Sequence, residues 1–93
     1  MDDQVLDNRD ARRFELSIGN ATAFASYRLE DDRVVLLHTE VPPEFSGRGV
    51  GSRLAEGAFA LVRKDGRKVV TKCPFMASWV GRHPEYADIV VDG

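Results

Sequence analysis

The chain has 93 residues, of which 43% are hydrophobic and 30% are charged, and its formal net charge at pH 7 is −2. This composition is typical of a globular protein and excludes a disordered chain, and the length supports one core rather than two, so we expect a single domain over residues 1–93. The longest apolar run, Val34 to Leu37, is far shorter than the roughly 18 residues of a membrane helix, and the basic residues are dispersed, so we expect neither a membrane nor a nucleic acid as partner.

The start of the chain and its cysteine content bear on the compartment. The segment Met1 to Gln4 is acidic and lacks the basic start and apolar stretch of a secretory signal. The one cysteine, Cys73, cannot form an internal disulfide and suits a reducing compartment. We therefore expect a cytoplasmic protein. Exposed sheet edges leave both a monomer and a homodimer open.

The first third of the chain predicts an antiparallel hairpin. Residues 1–11 are polar apart from Val5-Leu6, which belongs either to a short edge strand or to a mobile tail. Apolar and polar residues alternate over residues 13–18, which is the pattern of a half-buried strand. Gly19-Asn20 is typical of a two-residue turn, and the alternation resumes over residues 21–29.

A strand, a helix and a second strand follow. Residues 34–41 predict a central strand that is buried on both faces at its start. The clearest helix spans residues 50–64, and Gly66 is placed to cap its end. Its apolar residues recur at helical spacing: Val50, Leu54, Ala55, Ala58, Phe59, Leu61 and Val62. A right-handed crossover then places strand 68–73 parallel to strand 34–41, and a second short helix is predicted over residues 75–82.

The loop before the long helix has the chemistry of an anion-binding site. Its glycines let an anion approach the backbone, and the first amides of a helix are unpaired and carry partial positive charge. An arginine and two serines add a cation and hydroxyl donors. The residues suited to hold a pyrophosphate are Ser46, Gly47, Arg48, Gly49, Val50, Gly51 and Ser52.

Two familiar nucleotide-binding loops do not fit this segment. A P-loop has Lys-Ser or Lys-Thr after its last glycine, where this chain has Ser52-Arg53. A Rossmann fingerprint requires a glycine three positions after Gly49, and that position is Ser52. On spacing alone, the alternative is that the glycines only make a tight turn between strand and helix.

Four stretches carry a wider pattern: His38-Thr39-Glu40-Val41-Pro42-Pro43, Gly47-Arg48-Gly49-Val50-Gly51-Ser52-Arg53-Leu54, Cys73-Pro74-Phe75 and His83-Pro84-Glu85-Tyr86. Together with Arg13-Phe14-Glu15-Leu16, they resemble the short GNAT-like N-acetyltransferases over most of the chain. The resemblance implies a minimal α/β (α+β) fold: a mixed sheet with an antiparallel N-terminal hairpin and two splayed central parallel strands, joined by a crossover helix and followed by a short second helix. It also implies acetyl-CoA as acetyl donor, and we expect no metal.

The resemblance implies where the cofactor lies. The backbone of Thr39 to Val41 would bond the pantetheine amides, and loop 46–52 would hold the pyrophosphate. Ser46 stands where the family has Gln or Arg, which leaves the backbone amides for the phosphates. Larger members use a tyrosine as general acid in the helix after the second parallel strand; residues 75–82 contain none, and Tyr86 is the nearest. Those members also build the acceptor site from further strands, so the acceptor stays open.

Two residues are the candidates for catalysis. Cys73 is predicted at the carboxyl end of a parallel strand, where open α/β sheets bind ligands, and in the resemblance it falls close to the thioester. It either accepts the acetyl group, protonates the leaving thiolate, or is a small core residue. His38 and Glu40 share one face of the central strand; Glu40 is the better candidate for general base, and a structural role is more common for His38.

The remaining aromatic residues have expected roles outside catalysis. His83 either contacts a CoA phosphate or caps the short helix, and we favour the cap. Trp79 and Phe75 are expected in the core. The sequence thus predicts an acetyl-CoA-dependent N-acetyltransferase that acts on an unidentified amine, either a small molecule or a protein. The alternatives are a non-catalytic acetyl-CoA-binding or regulatory module and an interaction domain whose glycine loop binds nothing.

Overall fold

The computed structural model describes residues 4–45 and 47–92. Five strands form one sheet in the order β1-β2-β3-β4-β5. The strands are β1 (Leu6–Asn8), β2 (Arg13–Ile18), β3 (Ala21–Glu30), β4 (Arg33–Glu40) and β5 (Lys68–Thr71). Two α-helices, α1 (Val50–Lys64) and α2 (Pro74–Gly81), and two 3₁₀ segments, Pro43–Phe45 and Pro84–Ile89, complete the chain.

Strands β1 to β4 form an antiparallel meander, and β5 pairs with β4 in parallel. The predicted hairpin is confirmed, because β2 and β3 pair antiparallel. Gly19 takes a left-handed φ of 62° in the tight turn between them. The predicted crossover is confirmed as well, since α1 connects the parallel strands β4 and β5. Of the two expectations for residues 1–11, the edge strand forms, although at Leu6–Asn8 rather than at Val5-Leu6.

Helix α1 lies on one face of the sheet because its apolar stripe faces β2 and β3. The predicted stripe is buried except for Leu61, which is partly exposed. At the carboxyl end the Arg67 N–H donates to Val62 O at 3.1 Å and the Gly66 N–H donates to Arg63 O at 3.0 Å, which is a Schellman cap. At Gly57 a Cβ would collide with the Val5 side chain, so this glycine lets the segment before β1 cross the helix.

Helix α2 lies on the same face as α1. Trp79 stacks on Phe59 of α1 with ring centroids 5.5 Å apart, and both belong to the core that the sheet and α1 share. After α2 the 3₁₀ segment leads Val90 into a parallel bridge with Val69, and the Val91 N–H donates to Val69 O at 2.9 Å. The sequence predicted no element after residue 82, since a single bridged residue has no local pattern.

The pairing of β4 with β5 ends halfway along β4. It runs from Arg33 opposite Lys68 to Leu36 opposite Thr71. The next two amides, of Lys72 and Cys73, both donate to Leu36 O, at 2.9 and 3.1 Å, so the chain turns away from β4 at this carbonyl. The predicted strand 68–73 is therefore two residues too long, and the predicted strand 34–41 is shifted by one residue at each end.

A bulge in β4 lies at the same level. Tyr27 of β3 is opposite Leu36 and Ser26 is opposite His38, so Leu37 is the extra residue. Beyond it, Thr39 and Glu40 pair with β3 only. The parallel strands thus splay apart after Leu36, as the resemblance implies.

Candidate functional site

The gap between β4 and β5 is the feature around which the candidate site is built. Beyond Leu36, the backbone of β4 is bonded to β3 on one side and faces the gap on the other. Peptide groups on the gap side are therefore left for a ligand, in the way that a strand edge offers its N–H and C=O groups. The predicted pantetheine contacts at Thr39 and Val41 lie at this edge.

The glycine loop lies at the mouth of the gap. Gly47 and Gly49 have φ values of 76° and 71°, which a side chain would strain, and a Cβ at either position would meet no atom within 4 Å. Gly49 is the N-cap of α1, and the first helical bond runs from the Arg53 N–H to Gly49 O at 3.1 Å. The amides of residues 50–52 precede this bond, so they point out of the helix end.

The loop also carries side chains that could assist. Arg48 is exposed beside the helix end, and so is Ser52. The Ser52 hydroxyl accepts a hydrogen bond from Trp79 Nε1 at 2.8 Å and keeps its own proton to donate. The predicted phosphate contact at Ser46 lies outside the described residues.

Helix α1, helix α2 and the end of β4 meet at Gly51. A Cβ at this position would lie 2.9 Å from Phe75 Cζ and 3.5 Å from Val41 Cγ2. Glycine therefore lets the Phe75 ring lie across the start of α1. Phe75 is 41% exposed and Val41 is 37% exposed, so the expectation that Phe75 belongs to the core is wrong. Pro74 stands at the first turn of α2, directly before this residue.

Cys73 lies at the base of the gap as the N-cap of α2. Its side chain is 4% exposed and its Sγ is 3.2 Å from Thr39 Oγ1 across the gap. The structure thus places it beyond the end of β5, close to its predicted position, and gives it a hydroxyl partner that sequence spacing did not predict. The side chain of Thr39 therefore belongs to the site as well as its backbone.

His38 and Glu40 lie on the opposite face of the sheet from the two helices. Their cross-strand partners are Ser26 and Phe24, and His38 Nε2 is 3.6 Å from Glu40 Oε2. Both side chains are about three-fifths exposed, at 61% and 62%. The expectation that they share a face is confirmed.

Tyr86 is separated from the gap. Its ring packs on Phe59 with centroids 5.7 Å apart, and the Arg63 guanidinium lies 5.2 Å above it, near the carboxyl end of α1. Burial raises the pKa of Tyr86, which further opposes a role as acid near neutral pH. Residues 50 and 63 are roughly 20 Å apart along the helix. Tyr86 therefore does not supply the general acid at the gap.

His83 has a structural position at the end of α2. Its ring stacks on Trp79 at 3.7 Å between centroids, and its Nδ1 is 2.7 Å from Trp79 O. The expectation that His83 caps this helix is confirmed. In the part of the chain that the structure describes, no cluster of three His, Cys, Asp or Glu side chains could hold a metal ion. Over residues 4–45 and 47–92, no helix is long and apolar enough to cross a membrane.

Comparison with known proteins agrees with this geometry. The family described as GCN5-related N-acetyl-transferase matches residues 13–89. The chain is similar to Protein NATD1 of Gallus gallus, with 31% identity over an alignment of 84 residues, which covers 87% of this chain and 76% of that protein. Protein NATD1 of Mus musculus is 30% identical over the same shares of both chains.

A solved structure shares the fold. The NMR structure of a GCN5-like protein from Staphylococcus aureus superposes with a TM-score of 0.74 at 23% identity, covering 100% of this chain and 93% of that one. The splayed parallel strands, the glycine loop at the start of α1 and the family match over residues 13–89 lead to one conclusion. The chain belongs to the GCN5-related N-acetyltransferase family.

Proposed function

We propose that residues 1–93 form one domain that transfers the acetyl group of acetyl-CoA to a primary amine. The observation that carries this proposal is the gap that follows the end of β4–β5 pairing at Leu36, together with the start of α1. Among the described residues no side chain caps this helix end, and its Gly51 lies close to Val41, just beyond β4. A strand edge, an anion-binding helix end and a buried thiol meet there. This combination suits a ligand with a pyrophosphate at one end and a thioester at the other.

The residues around the gap fit the cofactor. The amides of residues 50–52 would receive the pyrophosphate, and Gly47 and Gly49 leave its approach free of side chains. Arg48 and the Ser52 hydroxyl would add a cation and a donor. The first turn of α1 has no acidic residue to repel the phosphates. We propose that the Ser46 hydroxyl is a second donor to the phosphates.

The arm of the cofactor would lie along β4. The edge from Thr39 to Val41 offers the peptide groups for the pantetheine amides, and Val41 and Phe75 offer an apolar wall on either side. Burial of the half-exposed Phe75 ring under the arm explains why an aromatic residue stands in solvent at this position. The Phe75→Ala variant should raise the KM for acetyl-CoA more than it lowers kcat.

Acetyl-CoA supplies an activated acetyl thioester. The protein holds the amine next to the thioester and supplies a group that takes up a proton. The acceptor ammonium gives one proton to the Glu40 carboxylate, and its nitrogen forms a bond to the acetyl carbon. The carbon–sulfur bond then breaks, and the thiolate takes the proton that the attacking nitrogen loses. The net products are the amide, CoA and one proton passed to solvent. A backbone N–H at the gap would polarise the thioester carbonyl.

Cys73 is the second residue that we propose for the chemistry. Its thiol, held by Thr39 at the base of the gap, acts by one of two routes. It either relays to the leaving thiolate the proton that the attacking nitrogen loses, or it gives its own proton to the CoA thiolate, takes the acetyl group and then passes it to the amine, regaining the proton that the nitrogen loses. The two routes differ in an observable intermediate, because only the second leaves an acetyl group on the protein.

The test combines melting temperature with intact mass. At a hundredfold excess over its Kd, acetyl-CoA should stabilise the protein by about 2.7 kcal/mol, or roughly 11–20 °C for a domain of this size. Gly49→Glu should abolish this rise. Gly19→Glu is the matched control, since Gly19 also has positive φ and open space around its Cβ position but lies in the β2–β3 turn. An equal rise in all three proteins contradicts the proposed site.

The mass measurement addresses Cys73. An acetyl increment that disappears in Cys73→Ser identifies the covalent route, and turnover without any increment identifies direct transfer. Stabilisation by acetyl-CoA without turnover on any amine would identify the binding module instead. One observation favours that second function: no tyrosine of the described residues lies near the gap, since Tyr27 bonds Asp7 on β1 and Tyr86 packs on α1.

A further inference from the structure

A hollow of about 400 Å³ lies around the carboxyl end of β4. We call it the β4 hollow. It is lined by Thr22, His38, Thr39, Glu40, Val41, Pro42 and Pro43. Among the residues that the structure describes, its ionisable groups are one carboxylate and one imidazole, and neither a lysine nor an arginine lines it.

The β4 hollow and the gap share two lining residues. Thr39 lines the hollow, and its hydroxyl is also the partner of Cys73 Sγ at 3.2 Å. Val41 lines the hollow and faces the position of a Cβ at Gly51 from 3.5 Å. A molecule in the hollow can therefore contact Thr39 and Val41, the residues along which we propose that the arm of the cofactor lies.

The charge at the β4 hollow is set by Glu40. Its carboxylate is 3.6 Å from His38 Nε2 and well exposed, so it can contact a ligand. The Arg13 guanidinium lies 4.5 Å above the ring of Phe24, the cross-strand partner of Glu40, and bonds Glu15 at 2.6 Å. Arg13 is therefore already paired with a carboxylate.

We propose that the β4 hollow is the acceptor site and that it selects alkylammonium groups on molecules without a carboxylate close to the amine. This inference rests on the proposed function and names its substrate class. The reacting nitrogen lies against Glu40, so other charges of a short amine lie within about 7 Å of the same carboxylate. At that distance and a water-like dielectric, a second ammonium should be favoured over a carboxylate by about five- to tenfold. Val41 and the two prolines supply apolar contact for the methylene chain.

Three primary amines with four carbon atoms each test this selection: 1,4-diaminobutane, butylamine and 4-aminobutanoate. The values of kcat/KM for acetyl transfer should fall in that order, with about five- to tenfold between the first and the last. Thr22→Lys places a cation in the lining without touching the proposed catalytic residues, and it should reduce or reverse this preference. Leu6→Lys makes the same change of net charge on the exposed part of β1 and should leave the preference as in the wild type.

The outcomes separate the two proposals. Equal kcat/KM values for the diamine and 4-aminobutanoate, or a preference that Thr22→Lys leaves unchanged, overturn the inference while acetyl transfer itself stands. Stabilisation by acetyl-CoA without acetylation of any probe also overturns it. A backbone NMR titration with 1,4-diaminobutane checks binding independently of turnover: shifts at Thr22, His38 and Glu40 support the site, and shifts confined to other regions contradict it.

A fourth probe distinguishes the source of the alkylammonium group. A peptide with one lysine and blocked termini carries the same group on a protein side chain. A higher kcat/KM for this peptide than for the diamine supports the inference with a protein as acceptor, and the reverse supports it with a small molecule.

Discussion

The two ends of α1 are built differently. At the carboxyl end the helix has a complete Schellman cap at Gly66 and basic residues in the last turn. At the amino end it has a glycine N-cap in a left-handed conformation, no side-chain cap and no acidic residue in the first turn. The completed end contributes stability, and the incomplete end leaves amides for a ligand.

Strand β4 is likewise complete at one end and incomplete at the other. Because it runs antiparallel to α1, its first residues lie toward the carboxyl end of the helix and its last residues toward the amino end. From Arg33 to Leu36 it is paired on both sides, and its side chains at residues 34–36 are buried. After the Leu37 bulge it is paired on one side, and His38 and Glu40 are exposed. We call residues 33–36 of β4, together with the carboxyl end of α1, the closed end. We call the rest of β4, together with the amino end of α1, the open end. The bulge separates them within a single strand.

The largest expected effect compares Leu36 with Leu37, which lie on either side of this boundary. Leu36 is 1% exposed and Leu37 is 39% exposed. Leu36→Ala should lower the free energy of unfolding by about 2–5 kcal/mol, because it removes buried methyl groups and leaves a cavity. Leu37→Ala should lower it by about 0.5 kcal/mol or less, as for surface positions. Urea denaturation measures both, and similar losses would mean that the open end is as well packed as the closed end.

A smaller effect is expected from pH at the closed end. The Tyr27 hydroxyl donates to Asp7 Oδ1 at 2.5 Å, and burial, with help from this carboxylate, raises the pKa of Tyr27 to about 12. Above pH 10 the unfolded chain loses the phenol proton before the folded protein does. Stability that is complete below pH 10 should therefore fall by about 1–3 kcal/mol as pH rises to 12.

The control for this pH effect is Tyr27→Phe, which cannot ionise. The difference in free energy of unfolding between the wild type and this variant, from urea titrations at pH 9 and pH 12, isolates the tyrosine from all other groups. A difference that is the same at both pH values would show that the Tyr27 pKa is not raised in the folded protein.

The closed end and the open end also differ in how far the sequence predicted them. The hairpin, α1 and its Gly66 cap follow from alternation, helical spacing and glycine placement, all of which are local. The glycine loop was predicted for the same reason. The contact of Tyr27 with Asp7 was not, because nothing local links residues 20 positions apart.

At the open end the missed features are the ones that decide the site. The exposure of Phe75 and the Thr39–Cys73 contact depend on how α2 leaves β5, which is a long-range property. A partial signal for the bulge existed: the continuous apolar run ends at Leu37, and alternation begins after it. The early end of β5 had no such signal, since Lys72 and Cys73 both bond Leu36 O rather than continuing a ladder.

The smallest expected effect compares the two glycines that end α1. Gly66 and Gly49 have φ values of 72° and 71°, and a Cβ at either would meet open space, so Gly66→Ala and Gly49→Ala should each cost about 1 kcal/mol of stability through backbone strain alone. Only Gly49→Ala should also reduce the rise in melting temperature with acetyl-CoA, because relaxing that strain turns the amides of residues 50–52 away from the phosphates. Equal losses of stability with unequal rises in melting temperature would show that the left-handed conformation of Gly49 is needed for binding acetyl-CoA. Equal rises in melting temperature would mean that the left-handed N-cap is needed only to form the turn before α1.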